Sequence, residues 1–283
     1  MQHFSINDFI ARSFNEDSGN GEGDHTSLAC IPFDANGKAN LIVKESGIIA
    51  GMELAKKIFQ FADKDIHFTS FIKDGDAIKA GDIAFTVKGK TQAILRAERI
   101  ALNCLQRMSG IATHTRRIVN ILEGTNTKVL DTRKTTPGMR YFEKMAVKAG
   151  GGENHRFGLY DMIMIKDNHI DYAGGISQAI DLVHKYLEKT GKKLKIEIEA
   201  RNFNELQEIL NKGGINRIML DNFTPGDLKN AIEIINKKYE TEASGGITEE
   251  SIRDYALSGV DFISIGALTH HIKSLDLSLK AVK

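Results

Sequence analysis

The chain has 283 residues, of which 41% are hydrophobic and 27% are charged, and its formal net charge is +1. This composition is that of a globular protein and excludes the disordered and membrane-embedded classes. The near-neutral charge also disfavours general binding to nucleic acid or to an anionic membrane surface, so any anion affinity must come from a local cluster of side chains.

Cysteine usage and the N-terminal sequence predict a protein of the reducing cytoplasm. Cys30 and Cys104 lie far apart with no second thiol at a metal-binding spacing, so neither a zinc site nor a disulfide framework is expected. We interpret both as small apolar residues. No apolar run approaches the roughly 18 residues of a membrane span, and the first twenty residues lack the basic and apolar pattern of a leader.

The first part of the chain predicts a small α+β sandwich domain over residues 1–112. An opening helix and the glycine-rich segment GNGEGDHTS precede four short strands with a helix between them. The strands are rich in β-branched and aromatic residues, and the last two are separated by the turn-forming segment KDGDAIKAGD. Residues 91–122 then read as a helix, with a break expected near SGIAT.

The second part, residues 113–273, has a different rhythm. Short apolar strands alternate with helical stretches in about six units, which is typical of a parallel sheet: KVLDT, MIMIK, KIEIEA, RIMLDN, ETEAS and FISIG. Six strands fall short of the eight in a complete (β/α) barrel, so we expect an incomplete barrel, although an open doubly wound sheet fits the same pattern. A last strand, within 274–283, is expected to return to the first domain.

Polar residues follow every one of these strands. Because the carboxyl ends of parallel strands meet at one edge of the sheet, six polar strand ends indicate one functional site. The residues are Arg133 and Lys134, Lys166 with Asn168 and His169, Glu199, Asp221, Ser244 and Gly266.

Strand alternation predicts that Lys166, Glu199 and Asp221 point inward. Charges in that position are costly unless they pair with one another, bind a metal ion or bind a ligand. A buried ion-pair network is therefore the structural alternative to a site. Glu197 and Glu242 share the inward parity, and we interpret the deeper Glu197 as structural.

Two further features indicate a ligand with several negative charges. The segments ASGGI and SIGALTHH place glycines between a strand and a helix, where backbone N–H groups can hold a phosphate. His155 and Arg156 follow three consecutive glycines and join Arg133, Lys134 and Lys166 in a concentrated cationic group. A multiply charged anion would offset the repulsion within this group.

At these residues the sequence resembles the quinolinate phosphoribosyltransferase family. The matching motifs run in family order from Glu98 to the last strand, whereas the first domain matches more loosely and GNGEGDHTS is longer than the usual family turn. The motifs are ERIALNCLQRMSGIAT, LDTRKTTPGMR, AGGGENHRFGLYDMIMIKDNHI, IEIEA, IMLDNF, EASGGIT and ISIGALTH.

The resemblance implies a pentosyltransferase of NAD synthesis. It implies transfer of phosphoribosyl from phosphoribosyl pyrophosphate to quinolinate, with decarboxylation, to give nicotinate mononucleotide, pyrophosphate and CO2. It also implies dependence on Mg²⁺, held by Glu199 and Asp221 directly or through water or the ribose. Charge-assisted hydrogen bonds of about 1.5–3 kcal/mol each would hold the two mutually repelling substrates in reacting geometry.

The resemblance also assigns the site residues. Those around quinolinate and pyrophosphate would be Thr132, Arg133, Lys134, His155, Arg156 and Lys166. Those around the 5′-phosphate would be Ser244, Gly245, Gly246, Gly266 and His270. The catalytic set would be Lys134, Lys166, Glu199 and Asp221. Arg99 would come from the second subunit of a homodimer or of a larger assembly of dimers.

Three rivals stay open on the sequence. A Schiff-base aldolase would use Lys166 as its nucleophile, although one carbonyl substrate needs fewer cations. The molybdenum-associated paralogue of the same family has a similar barrel. A phosphate-ligand sensor or an RNA-binding module is disfavoured because the basic residues lie at strand ends and no aromatic-rich sheet accompanies them.

Overall fold

In the computed structural model, which describes residues 4–282, the chain folds into two compact units. The described part of unit 1 comprises residues 4–116, 135–151 and 268–282, and unit 2 comprises residues 117–134 and 152–267. The two units are defined by contacts between residues, whereas the predicted domains 1–112 and 113–273 are continuous stretches of the sequence. Those predicted domain limits therefore stay a prediction.

Unit 1 is an α+β structure, as predicted. Its helices are α1 (Ile6–Asp17), a 3₁₀ turn (Gly19–Gly21), α2 (His25–Cys30), α3 (Met52–Ala62), α4 (Thr91–Ile121, of which 117–121 belong to unit 2), α5 (Arg140–Ala149) and α11 (Ala267–His270, of which Ala267 belongs to unit 2). Its strands are β1 (Asn36–Val43), β2 (Gly47–Ile48), β3 (His67–Ser70), β4 (Ala77–Ile78), β5 (Ile83–Lys90) and β12 (Leu277–Ala281).

The main sheet of unit 1 is antiparallel, with the strand order β12-β1-β5-β3, and β2 pairs with β4. The alternating apolar residues of β1 face the core, where Leu41 and Val43 are fully buried opposite Leu279 and Leu277. Period-2 alternation is the pattern expected of strands with one buried face. β12 therefore completes the sheet that begins near the N-terminus.

The helix α4 is continuous, so the break predicted near SGIAT is wrong. Ser109 Oγ accepts a 3.0 Å hydrogen bond from the N–H of Ala50, and a Cβ on Gly110 would lie 2.2 Å from the carbonyl oxygen of Lys273. Ser109 and Gly110 thus lie where other backbone segments approach the helix closely. Small residues in a helix indicate such an approach as readily as an end of the helix.

The glycine-rich segment GNGEGDHTS is also ordered. It forms the 3₁₀ turn and the start of α2, which is capped by Asp24 through a 3.1 Å hydrogen bond from the N–H of Ser27. An aspartate that satisfies a free N–H is a favoured helix start.

Unit 2 is an α/β structure whose elements match the predicted strands one by one. Its strands are β6 (Lys128–Leu130), β7 (Ile163–Ile165), β8 (Ile196–Ala200), β9 (Arg217–Asp221), β10 (Glu240–Ser244) and β11 (Phe262–Ser264). Its helices are α6 (Asp167–Ala173), α7 (Ile176–Thr190), α8 (Phe203–Lys212), α9 (Pro225–Ile235) and α10 (Ile252–Ala256).

The six strands of unit 2 form one parallel sheet in the order β6-β11-β10-β9-β8-β7. β6 and β7 are its two edges, and the whole of β8 is buried. This is the incomplete barrel predicted from the sequence, and all its carboxyl ends point the same way. Polar residues that follow the strands therefore gather at one edge.

Within residues 4–282, no helix combines the length and apolarity needed to cross a bilayer. Both cysteines are free thiols: Cys104 is buried in α4, whereas Cys30 is exposed at the end of α2.

Candidate active site

Twelve of the fourteen predicted site residues belong to unit 2, at or after the carboxyl ends of its strands. They are Thr132, Arg133 and Lys134 after β6, His155 and Arg156 in the segment before β7, Lys166 after β7, Glu199 in β8, Asp221 ending β9, Ser244 to Gly246 at the end of β10, and Gly266 after β11. The other two, Arg99 on α4 and His270 on α11, belong to unit 1.

Glu199 and Asp221 form an acidic pair next to one cation, Lys166. Glu199 is buried but Lys166 is exposed, so the inward orientation predicted for Lys166 stays a prediction. Lys166 Nζ lies 3.6 Å from Glu199 Oε2, which is buried and has no hydrogen-bond partner. Burial raises the pKa of Glu199, Lys166 lowers it, and the negative charge of Asp221 raises it, with a net shift upward. A buried carboxylate with an unsatisfied oxygen can accept a cation or a ligand hydroxyl at this point.

The turn after β9 fixes Asp221. Asn222 adopts a left-handed conformation with φ of 58°, and its side-chain amide donates a 2.6 Å hydrogen bond to Asp221 Oδ2. Its backbone N–H donates to the carbonyl of Ser244 over 2.9 Å, which ties the ends of β9 and β10 together. Sequence reasoning did not single out Asn222, although asparagine is enriched in this conformation.

The glycine of the ASGGI segment that lies beside this turn has no room for a side chain. A Cβ on Gly245 would lie 2.2 Å from Asn222 Oδ1, and its φ is 100°. Gly246 also has a positive φ, of 60°. Glycines in such a turn leave the backbone open to close approach, and N–H groups in turns can bind an anion.

The loop after β6 brings cations together. Thr132 Oγ1 accepts a 3.0 Å hydrogen bond from the N–H of Lys134, which turns the chain just past the strand. Arg133 is half-buried and Lys134 is exposed. Burial and then the positive charge of Arg133 lower the pKa of Arg156, so the two guanidinium groups lie close enough to repel each other.

Carboxylates hold the segment that carries His155 and Arg156. The buried Asp131 accepts hydrogen bonds from the N–H of His155 over 2.9 Å and from the side chain of Asn154 over 2.5 Å. Asp161 accepts from the N–H groups of Phe157 over 2.7 Å and Gly158 over 2.9 Å. Sequence reasoning missed both anchors, although Asp131 lies within LDTRKTTPGMR and Asp161 within AGGGENHRFGLYDMIMIKDNHI.

The ring of His155 faces the interior of unit 2. Its Nε2 lies 3.0 Å from Glu197 Oε2 and 3.2 Å from Glu242 Oε2, and its Nδ1 accepts a 2.6 Å hydrogen bond from the N–H of Arg156. Burial lowers the pKa of His155, but the two carboxylates raise it to about 9. Acceptance of the Arg156 N–H requires an unprotonated Nδ1 and so opposes the effect of the carboxylates; in the neutral ring that makes this bond, the hydrogen is on Nε2, the nitrogen next to the two carboxylates.

The two carboxylates beneath the ring differ from each other. Burial and then the charge of Glu242 raise the pKa of Glu197 to about 7. Glu242 accepts a 3.0 Å hydrogen bond from Arg217 Nη1. Burial raises the pKa of Glu242, but His155 and Arg217 lower it below its usual range. The predicted contact between His155 and ligand stays a prediction.

The two site residues of unit 1 are both exposed. Arg99 lines a cavity of about 430 Å³ on unit 1, together with Asp17, Asn103 and Arg107. His270 contacts the neighbouring His271 through their Nδ1 atoms.

Family models match both parts of the chain. The model for the quinolinate phosphoribosyl transferase N-terminal domain matches residues 24–109, and the model for the C-terminal domain matches residues 111–280.

Individual proteins match nearly the whole chain. A decarboxylating quinolinate phosphoribosyltransferase (1b) of Nicotiana tabacum is 43% identical over 98% of this chain and 82% of its own length. A probable carboxylating nicotinate-nucleotide pyrophosphorylase of Bacillus subtilis is 42% identical over 99% of this chain and 94% of its own length. Among solved structures, NadC of Streptococcus pyogenes superposes with a TM-score of 0.91 at 36% identity, covering 98% of this chain and 97% of that one.

Proposed function

This chain belongs to the quinolinate phosphoribosyltransferase family, and we propose that it transfers the phosphoribosyl group of phosphoribosyl pyrophosphate to quinolinate. The products are nicotinate mononucleotide, pyrophosphate and CO2, so the enzyme is a pentosyltransferase of NAD synthesis. One observation carries the assignment on the structural side. Cations at the ends of β6 and β7 lie at the same sheet edge as an acidic pair at the ends of β8 and β9.

The cations serve the substrate anions. Quinolinate has two carboxylates, and its co-substrate has a pyrophosphate and a 5′-phosphate. Arg133, Arg156, Lys134 and Lys166 supply the positive charge that holds these anions together despite their mutual repulsion. Held side by side, the reactants need no further loss of translational freedom to reach the transition state.

The acidic pair serves the ribose. As the bond from C1′ to pyrophosphate breaks, the ribose carbon becomes positively charged. Glu199 and Asp221 place negative charge where it can stabilise that carbon. Lys166, 3.6 Å from Glu199, keeps the carboxylate oriented.

The same pair fits Mg²⁺. The ion prefers carboxylate oxygens, and the buried Glu199 Oε2 has no hydrogen-bond partner of its own. Glu199 and Asp221 would hold the ion directly or through water or the ribose. When bound, Mg²⁺ would neutralise negative charge on the departing pyrophosphate.

The turn after β10 serves the 5′-phosphate. Ser244 offers a hydroxyl, and Gly245 and Gly246 offer backbone N–H groups on a path that a side chain would block at Gly245. Gly266, after β11, and His270 complete the proposed set.

Decarboxylation needs no added base on this proposal. Once the ring nitrogen of quinolinate carries the ribose, the ring is cationic and stabilises the electron pair that departing CO2 leaves on the adjacent ring carbon, and that carbon then takes a proton from solvent. The chain's own residues then have only to hold the ring in place.

Arg99 completes the partner's site in a homodimer on this proposal. Its exposed position on α4 supports a role outside its own chain. The proposed location is the cytoplasm, whereas several plant relatives are named as mitochondrial or chloroplastic proteins.

A spectrophotometric assay tests the function. Loss of quinolinate absorbance must require phosphoribosyl pyrophosphate and Mg²⁺, and nicotinate mononucleotide must appear. Absence of turnover in folded protein overturns the proposal. Borohydride trapping of a substrate on Lys166 would favour an aldolase instead.

A further inference from the structure

The His155 ring lies at one end of a row of charged side chains, which runs through Glu197 and Glu242 to Arg217. Glu197 on β8 and Glu242 on β10 are fully buried, and both carboxylates lie within 3.2 Å of the ring nitrogen Nε2. Such groups are costly in a protein interior unless they are paired, so the positions of the two carboxylates depend on their charged partners.

Arg217 on β9 lies at the other end of this row and fixes Glu242. Its Nη1 donates to Oε2 of Glu242, the same oxygen that faces His155. Its Nε and Nη2 bond Glu240, and its guanidinium lies 4.1 Å from the ring centre of Phe262. The carboxylate of Glu242 therefore has a defined position.

At the His155 end, the row of charged side chains meets the proposed quinolinate site. The Nδ1 atom of His155 accepts the N–H of Arg156, so the orientation of the ring sets the position of that backbone group. Arg156 needs this support because Arg133 repels its guanidinium.

We propose that Glu197 and Glu242 are positioning residues for quinolinate binding, which act by fixing the His155 ring and, through its Nδ1 atom, the backbone of Arg156. This inference rests on the proposed function, because it takes Arg156 as a contact of the quinolinate carboxylates. Second-layer groups that orient a binding residue preorganise a site without touching the ligand.

A metal ion is the rival interpretation of the same three side chains. One ligand atom from each of His155, Glu197 and Glu242 lies within 4.8 Å of the other two. However, Arg217 already places a positive charge on Glu242, within 3.0 Å of the oxygen that a metal would need. A metal ion would therefore have to share an oxygen that Arg217 already bonds, which favours the positioning role.

Glu242→Gln and Glu197→Gln test the proposal, with Glu240→Gln as the matched control. Glu240 lies on the same strand as Glu242 and also bonds Arg217, but its side chain is 42% exposed and neither ring contact of His155 involves it. In the first two variants we expect the Kd of quinolinate, measured by calorimetry, to rise roughly tenfold. The KM for phosphoribosyl pyrophosphate should stay close to wild type, and the control should bind both substrates normally.

A double-mutant cycle tests the route through Arg156. If Glu242 acts through Arg156, then Glu242→Gln should weaken quinolinate binding much less in an Arg156→Lys background than in wild type. Additive effects overturn the proposal. The proposal is also overturned if the binding of both substrates weakens equally, or if Glu240→Gln behaves like Glu242→Gln. Wild-type quinolinate affinity in the folded variants overturns it as well.

Two further measurements cover the remaining outcomes. A metal present at one ion per chain in wild type and lost in Glu242→Gln overturns the positioning role. If neither variant folds, amide hydrogen exchange of wild type decides, because the Arg156 N–H must exchange slowly if His155 accepts it, and fast exchange overturns the proposal. If wild type neither binds nor turns over quinolinate, the proposed function itself fails.

Discussion

Arg107 on α4 donates a 2.7 Å hydrogen bond from Nε to Oε1 of Glu143, a fully buried residue on α5. The same guanidinium bonds the hydroxyl of Thr136 and the carbonyl of Thr269, and Glu143 Oε2 accepts the N–H of Thr136. The helices α4, α5 and α11 and the loop before α5 thus meet at the ion pair of Arg107 with Glu143. That loop contains the residues that follow LDTRK.

Arg107→Ala should destabilise the protein by about 3 kcal/mol, because it leaves a buried carboxylate without its partner. Chemical denaturation followed by circular dichroism measures the loss. Arg117→Ala is the control, since Arg117 pairs with Glu249 at the surface with 63% of its side chain exposed. An exposed ion pair contributes less than about 1 kcal/mol. Equal losses of stability in the two variants would show that the buried ion pair contributes no more to stability than the exposed one.

Arg133→Ala and Lys134→Ala should each nearly abolish turnover while the fold is kept, because these cations serve ligand anions. Removing Arg133 also removes a charge that repels Arg156, so the free protein should not lose stability. Steady-state kinetics and thermal melts measure the two effects. Wild-type quinolinate binding and turnover in either variant would show that the residue was assigned wrongly.

Glu199→Gln and Asp221→Asn should lower kcat more than they weaken quinolinate binding. An interaction made mainly in the transition state acts on the rate, by about tenfold for each 1.36 kcal/mol lost. Asp181→Asn is a control, because Asp181 pairs with Lys212 on exposed helices. The assignment does not survive if both variants turn over normally and keep their dependence on Mg²⁺.

Arg99→Ala and Lys134→Ala should each be inactive alone and should complement each other when mixed. After joint unfolding and refolding, half of the dimers should be mixed, each with one site that has both defects and one that has neither. Activity should return to roughly a quarter of wild type if the sites are independent. Mass spectrometry checks subunit exchange, and a mixture that exchanges but stays inactive would place Arg99 outside the partner's site.

The two thiols should differ in reactivity. Burial raises the pKa of Cys104 to about 12, so it is protonated near neutral pH, whereas Cys30 is exposed. Because the thiolate is the reactive form, a disulfide reagent at pH 8 should label one cysteine in the native protein and two after unfolding. Rapid labelling of both in the native state would show that α4 opens readily.

Sequence patterns predicted the elements of this fold better than its internal contacts. All six parallel strands could be located because short apolar runs alternate with amphipathic helices, and two of the three residues with the predicted inward parity, Lys166 and Glu199, lie 3.6 Å apart. The helix break near Gly110 was wrong because a glycine signal does not say whether the chain turns or is closely approached. The anchors Asp131 and Asp161 were missed because their partners belong to a loop, whose path no periodicity specifies.

The pairing of β12 with β1 has a consequence for synthesis on the ribosome. β1 emerges early, but its neighbour β12 emerges only after every strand of the parallel sheet has been translated. Until then β1 has an open edge, and Leu41 and Val43 lack the leucines that face them. Open edges of this kind recruit other strands. The edge of β1 is therefore open to pairing with other strands for most of translation, and a premature stop before Leu277 would leave it permanently open.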